Sequence, residues 1–561
     1  MKFPRASGIL LHPTSLPGPG GIGTLGPDAL GFVRFLADAR CTIWQMLPLG
    51  PTGFGDSPYQ CISAFAGNPL LISLPLELDG SATGPSAGAR NVAESASHVG
   101  TGASNVGIGA REVGTGATNA GTGASEVGTA ARNVGSGARN VGTGANNVGA
   151  GASTVGADVD FGTVIAEKRI ALRKLFERFV PDARFDRWVQ QQPWLEDFAL
   201  FSALKDVHGG GAWTAWAPSL AAHEPAALAT FAKAHARELA QVRFEQYVFF
   251  RQFQTLKQKC TENGIKLMGD VPIYVAHDSA DVWSNRELFE LNDDGTLIVQ
   301  AGVPPDYFSE TGQLWGNPIY KWDVLREQGY QWWIDRMRAA LSMFDIVRLD
   351  HFRGFEAYWE VPGNATTAIN GRWAPGPGAA LFNAMTQALG PLPIVAENLG
   401  LITPEVEALR EQLGYPGMSI LQFAFVGAEG EVNEFKPHRY AQESVVYTGT
   451  HDNDTTLGWW NSEPGDASTR SAAEIETEHE HARRYLNTDG REMQWTLIRA
   501  ALASVADTVL VPMQDILGLG SASRMNLPGR QAGNWQFRFA WSQLTPDLTQ
   551  RLRELNTLFD R

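Results

Sequence analysis

The chain has 561 residues, 43% of them hydrophobic, and a formal net charge of −15. That length exceeds one ordinary compact core and points to a large barrel with insertions, or to two or three domains. The acidic balance, spread along the chain with no basic block, argues against nucleic acid and anionic membrane as partners and fits a neutral substrate. The three cysteines, Cys41, Cys61 and Cys260, form neither a disulfide framework nor a metal-ligand spacing. No signal-peptide pattern opens the chain, and no apolar run approaches the ~18 residues of a membrane span. A cytoplasmic protein with reduced thiols is expected.

In chain order, an apolar run at 8–12 reads as a strand, a periodic stretch at 28–39 as a helix, and 42–48 as a second strand. From residue 100 to 155 the sequence then repeats every seven residues, as in Gly100-Thr-Gly-Ala-Ser-Asn-Val106 and Gly142-Thr-Gly-Ala-Asn-Asn-Val148. Two glycines and one isolated valine per repeat cannot build a coiled-coil seam, which needs two apolar knobs. The segment buries too little to offset its ordering entropy, so a surface insertion without chemistry is expected over 80–158. Beyond it come a helix at 244–262, a strand at 265–270, a helix at 324–343 and a strand at 345–350. A helix at 379–389, a strand at 394–397, a helix at 405–413, strands at 418–425 and 444–448, a helix at 492–505 and a strand at 508–512 complete the series.

Strands that alternate with helices pair in parallel, and eight such units predict a closed (β/α)8 barrel over 1–561. An open doubly wound sheet is the alternative, but no glycine-rich phosphate loop follows the first strand. Long connections at 60–235, 278–322 and 355–378 fall after the second, third and fourth strands, on the face where a barrel builds its site. The segments 159–235 and 278–322 are expected to be mostly helical inserted subdomains.

Three acids occupy equivalent places. Asp350 and Glu397 end predicted strands, and Asp452 follows one. In a parallel barrel their carboxylates converge on one face. Arg348 precedes Asp350 by two residues, so both point the same way, and the guanidinium is expected to hold the carboxylate ionised. His451 and Asn453 flank Asp452, and Asp454 reads as structural. Glycoside cleavage needs such a set: an attacking carboxylate, a second that moves the proton, and a third that steadies the sugar. No HExxH motif, GxSxG elbow or phosphate-binding loop supports a rival chemistry.

The segments Arg348-Leu-Asp-His-Phe-Arg-Gly-Phe355, Ala396-Glu-Asn-Leu-Gly400 and Thr450-His-Asp-Asn-Asp-Thr455 resemble the signatures of the amylomaltases, the bacterial 4-α-glucanotransferases. Gly53-Phe-Gly-Asp-Ser-Pro-Tyr-Gln60, Gly269-Asp-Val-Pro-Ile-Tyr-Val275, the loop from Gly302 to Pro318 and Asn526-Leu-Pro-Gly529 extend the resemblance along the chain outside the repeat. The resemblance implies Asp350 as nucleophile, Glu397 as acid/base and Asp452 as transition-state stabiliser. It implies sugar contacts from Tyr59, Asp270, Trp315, Asn317, Arg348 and His451, with Tyr307 and Phe308 over the cleft. Taken alone, Tyr59 and Trp315 are equally readable as core aromatics, and Asp270 as a buried structural acid. Phe54 stands where the family often has Tyr. The implied reaction transfers α-1,4-glucan segments among maltooligosaccharides without metal or cofactor. A hydrolase of the same barrel class is the alternative, and a catalytically inactive glucan-binding protein is a second rival. Deleting residues 100–155 is predicted to leave activity and melting temperature nearly unchanged, because the repeat can bury little apolar surface. A large fall in melting temperature would refute its reading as a passive insertion.

Overall fold

Twelve strands are built by the described residues, which are 3–74, 158–305, 309–427, 432–465, 470–530 and 532–561 of a computed structural model. The repeat at 100–155, nearly all of 80–158, and Tyr307 and Phe308 lie outside these residues. The strands are β1 (Ala6–Leu10), β2 (Ile43–Gln45), β3 (Lys266–Pro272), β4 (Val299–Val303), β5 (Gln313–Pro318) and β6 (Ile346–Asp350). They continue with β7 (Ala357–Pro362), β8 (Arg372–Pro375), β9 (Ile394–Ala396), β10 (Gly417–Ile420), β11 (Ser444–Tyr447) and β12 (Thr508–Pro512). Eight form a parallel sheet in the order β10-β11-β12-β1-β2-β3-β6-β9. These are the eight strands expected from sequence.

The two ends of the sheet meet between β9 and β10. The Ala396 amide donates to the Pro416 carbonyl at 2.9 Å, and the Met418 amide donates to Asn398 Oδ1 at 2.7 Å. The barrel is thus closed partly by a side chain. Asn398 also donates to Glu407 Oε1 at 2.8 Å, fixing the amide's orientation from the following helix.

The barrel interior follows the strand period of two. Ala6, Ile43, Met268, Ile346, Val395, Met418, Val445 and Leu510 pack in one buried cluster. Two residues further along β2, β3, β6 and β9 the inward positions turn polar: Gln45, Asp270, Arg348 and Glu397. The apolar layer fixes the strand register. The polar layer stands on it at the C-terminal mouth.

Outside the barrel, helices at Pro27–Asp38, Gly378–Leu389, Pro404–Leu413 and Met493–Ala503 lie at the predicted positions, while the helix predicted over 244–262 starts eight residues earlier, as Ala236–Glu262. The helix expected over 324–343 is instead two, Trp322–Glu327 and Gln331–Met343. Gly329 and Tyr330 between them have φ of 66° and 58°, left-handed values that end the first helix. The connection after β2 is helical as expected, with helices at Phe161–Phe176, Ala183–Gln190, Leu195–Val207, Pro218–Ala221 and Pro225–Ala234. The 278–322 segment departs from the mostly helical expectation. It carries β4 and β5, which join β7 and β8 in a second, antiparallel sheet ordered β5-β4-β7-β8. β4 pairs with β5 within the segment, while the β4–β7 pairing that joins the two insertions is non-local and left no signal in either one.

Asn398→Ala removes the acceptor for the Met418 amide at the barrel seam. It is predicted to lower unfolding stability by about 1–3 kcal/mol, the cost of a buried donor left unmet, read as the midpoint in urea. An unchanged midpoint would show that the seam is held by backbone alone.

Candidate active site

Arg348 is the centre of the polar layer. Its Nη1 donates to Asp270 Oδ2 at 2.6 Å and lies 2.9 Å from Asp350 Oδ1. The pairing of β3 with β6 sets Asp270 beside Arg348 in register. Tyr59 approaches from the loop after β2, and its hydroxyl donates to the same Asp270 oxygen at 2.7 Å. The side chains of Arg348 and Asp270 are 5% and 0% exposed, and that of Asp350 is 27% exposed. The ion pair therefore lies under the cleft floor, and Asp350 emerges from it into the cleft.

Glu397 follows β9, which pairs with β6 through Leu349 and Ala396. Its carboxylate is held by backbone on both sides. Oε2 accepts from the His351 amide and Oε1 from the Leu399 amide, each at 2.8 Å. His351 has φ of 52°, a left-handed conformation that non-glycine residues adopt at some cost and that concentrates at functional sites. Here it turns the chain sharply after Asp350 and aims the His351 amide at Glu397.

Asp452 sits on the loop after β11. Its Oδ1 accepts from Asn526 Nδ2 at 2.6 Å, and its carbonyl accepts from Arg524 Nη2 at 2.5 Å. His451 Nε2 lies 3.4 Å from Asp452 Oδ2. The His451 ring stacks on Tyr59, with centroids 5.1 Å apart and planes at 14°, and Trp535 packs against both. Trp535 also has a left-handed backbone, φ of 66°. Asn526 belongs to a segment quoted in the sequence resemblance. Arg524 and Trp535 carried no local signal, since each is more than seventy residues from the loop it touches.

A cleft of about 1630 Å³ is lined by Tyr59, Trp315, Asn317, Asp350, His451 and Asp452 among others. The Trp315 ring meets His351 edge-on, with centroids 4.8 Å apart. Asn317 is buried, and its Nδ2 donates to the Val275 carbonyl at 2.8 Å, tying β5 to the loop after β3. Asp270, Arg348 and Glu397 stand behind this lining. Tyr307 and Phe308 lie outside the described residues. Among the described residues no cluster of His, Cys, Asp or Glu is arranged to hold a metal ion.

The electrostatics correct one expectation. Arg348 does not by itself hold Asp350 ionised. Burial, with help from the charges of Asp270, Glu397 and Asp452, pushes Asp350 up to about 8 against the pull of Arg348. Burial is the largest cause, and the guanidinium that opposes it is shared, with Asp270 taking the shorter bond. Glu397 is likewise raised, mainly by burial, although Arg348 and two amides oppose it. The Glu397 charge also raises Asp350, so the titration of the two carboxyls belongs to the pair. Burial also keeps His351 neutral, pushing it down to about 3, and lowers His451. Asp270 raises both members of the pair. Asp270→Asn is therefore predicted to move both limbs of the kcat/KM–pH profile to lower pH, whatever it does to the maximum rate. Limbs that stay in place would contradict the shared-guanidinium account.

Comparison with known proteins identifies the family. A family model described as 4-alpha-glucanotransferase matches residues 11–545. The 4-alpha-glucanotransferase of Thermus thermophilus is 43% identical over 100% of both chains. That of Synechocystis sp. is 43% identical over 99% of this chain and 98% of its own. Among solved structures, the amylomaltase of Streptococcus agalactiae in complex with acarbose superposes with a TM-score of 0.81, at 33% identity and over 99% of each chain. The Corynebacterium glutamicum amylomaltase, 15% identical, shares the fold with a TM-score of 0.70 over 98% of this chain and 75% of its own. Matched along its length in sequence and in fold, the chain belongs to the 4-alpha-glucanotransferases.

Proposed function

We propose that this 4-alpha-glucanotransferase moves a segment of an α-1,4-glucan to the 4-hydroxyl of an acceptor glucan or glucose by double displacement. Asp350 attacks the anomeric carbon of the donor, while Glu397 gives its proton to the departing glycosidic oxygen. The donor's non-reducing segment is then held as an ester on Asp350. Glu397, now a carboxylate, takes the proton of the incoming 4-hydroxyl, and that oxygen displaces Asp350 with net retention. Asp452 steadies the oxocarbenium-like transition states. Tyr59, His451, Trp315, Asn317, Asp270 and Arg348 shape the donor site.

The observation that carries this reading is the placing of Asp350 at the end of β6 and of Glu397 directly after its paired neighbour β9, both within the field of the buried Arg348 guanidinium. A pair that holds one proton can begin as Asp350 carboxylate and Glu397 acid. As Asp350 gives up its charge to the new bond, Glu397 acquires one by losing its proton. The total charge facing Arg348 is unchanged, so the step needs little reorganisation of the buried site. The family membership and the acarbose bound to the Streptococcus agalactiae relative support an α-glucan as substrate. The acidic charge and three free cysteines support a cytoplasmic location. No helix among the described residues is long and apolar enough to cross a membrane.

Maltotriose as sole substrate is predicted to yield glucose and a ladder of longer maltooligosaccharides, and Asp350→Asn to abolish this at near-wild-type stability. Only shorter products would identify a hydrolase, and a fully active Asp350→Asn would remove the assigned nucleophile.

A further inference from the structure

Asp515 is a buried acid that takes no part in the chemistry above. It lies in the short helix Met513–Ile516 that follows β12 and is 1% exposed. Three donors reach its carboxylate. Oδ2 accepts from Thr448 Oγ1 at 2.6 Å and from Thr456 Oγ1 at 2.7 Å, and Oδ1 accepts from the Thr456 amide at 2.6 Å. Thr448 directly follows β11, and Thr456 opens the helix Thr456–Trp460. Both threonines are wholly buried. The loop they bracket carries His451 and Asp452 at its middle.

The interior of that loop is bonded in the same direction. The Thr450 amide and hydroxyl both donate to Asn453 Oδ1, at 2.8 and 2.9 Å, and the Asp452 amide donates to Thr450 Oγ1 at 3.3 Å. Gln422 Nε2 holds the Asp454 carbonyl at 2.9 Å. The Asp452 side chain itself is 48% exposed. Its aim is therefore set by the loop that carries it and by Asn526, and burial contributes little.

A buried carboxylate is a costly way to join two threonines. No cation contacts Asp515 among the described residues, so its desolvation is opposed only by charge-assisted hydrogen bonds from neutral donors. Such an arrangement adds little net stability. What it does add is geometry: one rigid group from an adjacent strand end fixes both ends of the loop at once. We propose that Asp515 is a positioning residue that sets the aim of Asp452 and His451 by closing the 448–456 loop at both ends.

The inference rests on the role given above to Asp452. The test is the kinetics of the full chain with maltotriose, comparing Asp515→Asn, Thr448→Val and Thr448→Ser. Because none of these residues touches the cleft, the expected change is in kcat, down about tenfold to a hundredfold as for a misplaced catalytic group, with KM nearly constant. Thr448→Ser keeps the hydroxyl and is expected to restore most of the rate. If Asp515→Asn does not fold, the Thr448 pair decides the matter. The two losses are then measured in an Asp452→Asn background, with a maltosyl fluoride as donor so that residual turnover is readable. Positioning through Asp452 predicts that they largely vanish there. Unchanged kcat in folded variants, or equal losses with and without the Asp452 carboxylate, would overturn the proposal. Wild-type activity in Asp452→Asn alone would overturn the role of Asp452 instead.

Discussion

One buried guanidinium organises this molecule's active face. Arg348 is 5% exposed and bonds to Asp270, wholly buried, and to Asp350, which reaches the cleft. A charge withdrawn from water must be met by opposite charge and hydrogen bonds, and removing one partner of such a group costs about 3–5 kcal/mol. Arg348 stands on β6, Asp270 on β3, and Tyr59 arrives from the loop after β2 to share the Asp270 oxygen. The stacking of His451 on Tyr59 then carries the same constraint across the cleft to Asp452. Asp270, Asp350 and Tyr59 are thus placed through Arg348 or through a group that Arg348 holds.

Sharing also limits what Arg348 can do. Two carboxylates divide its charge, so Asp350 remains a reluctant acid at about 8 and is not a fully committed anion. Glu397 is raised as well, mainly by burial. The proposed double displacement has Glu397 give up a proton and take one back in each cycle. A site tuned so that neither carboxyl ionises easily can do this with small changes in energy, whereas two strongly ionised carboxylates would have no acid to offer.

The barrel was legible because its strands are short apolar runs separated by helical periods. Asp350 and Glu397 were legible as acids closing two of those runs, and Asp452 as an acid soon after a third. What sequence concealed was non-local. β4 has one of its two partners, β7, in a different insertion, and that pairing left no local signal against a helical reading of 278–322. Asn526 and Arg524 reach Asp452 from 74 and 72 residues away. The break at Gly329 was marked by a glycine, but a lone glycine within a helical period is a weak stop. Arg348 two residues before Asp350 was visible, while Asp270 as its competitor depended on the register between β3 and β6. A sequence shows which charges lie near each other along the chain, and only the fold shows how they are divided.

The central claim is that Asp350 becomes covalently attached to sugar during transfer. Glu397→Gln, given a glycosyl fluoride donor whose leaving group needs no acid, should form the ester and then lack the base to discharge it. Mass spectrometry of the digested protein is the direct measurement. The account predicts a glycosyl adduct on the peptide containing Asp350 and nowhere else. An adduct on another residue, or none while fluoride is still released, would contradict it.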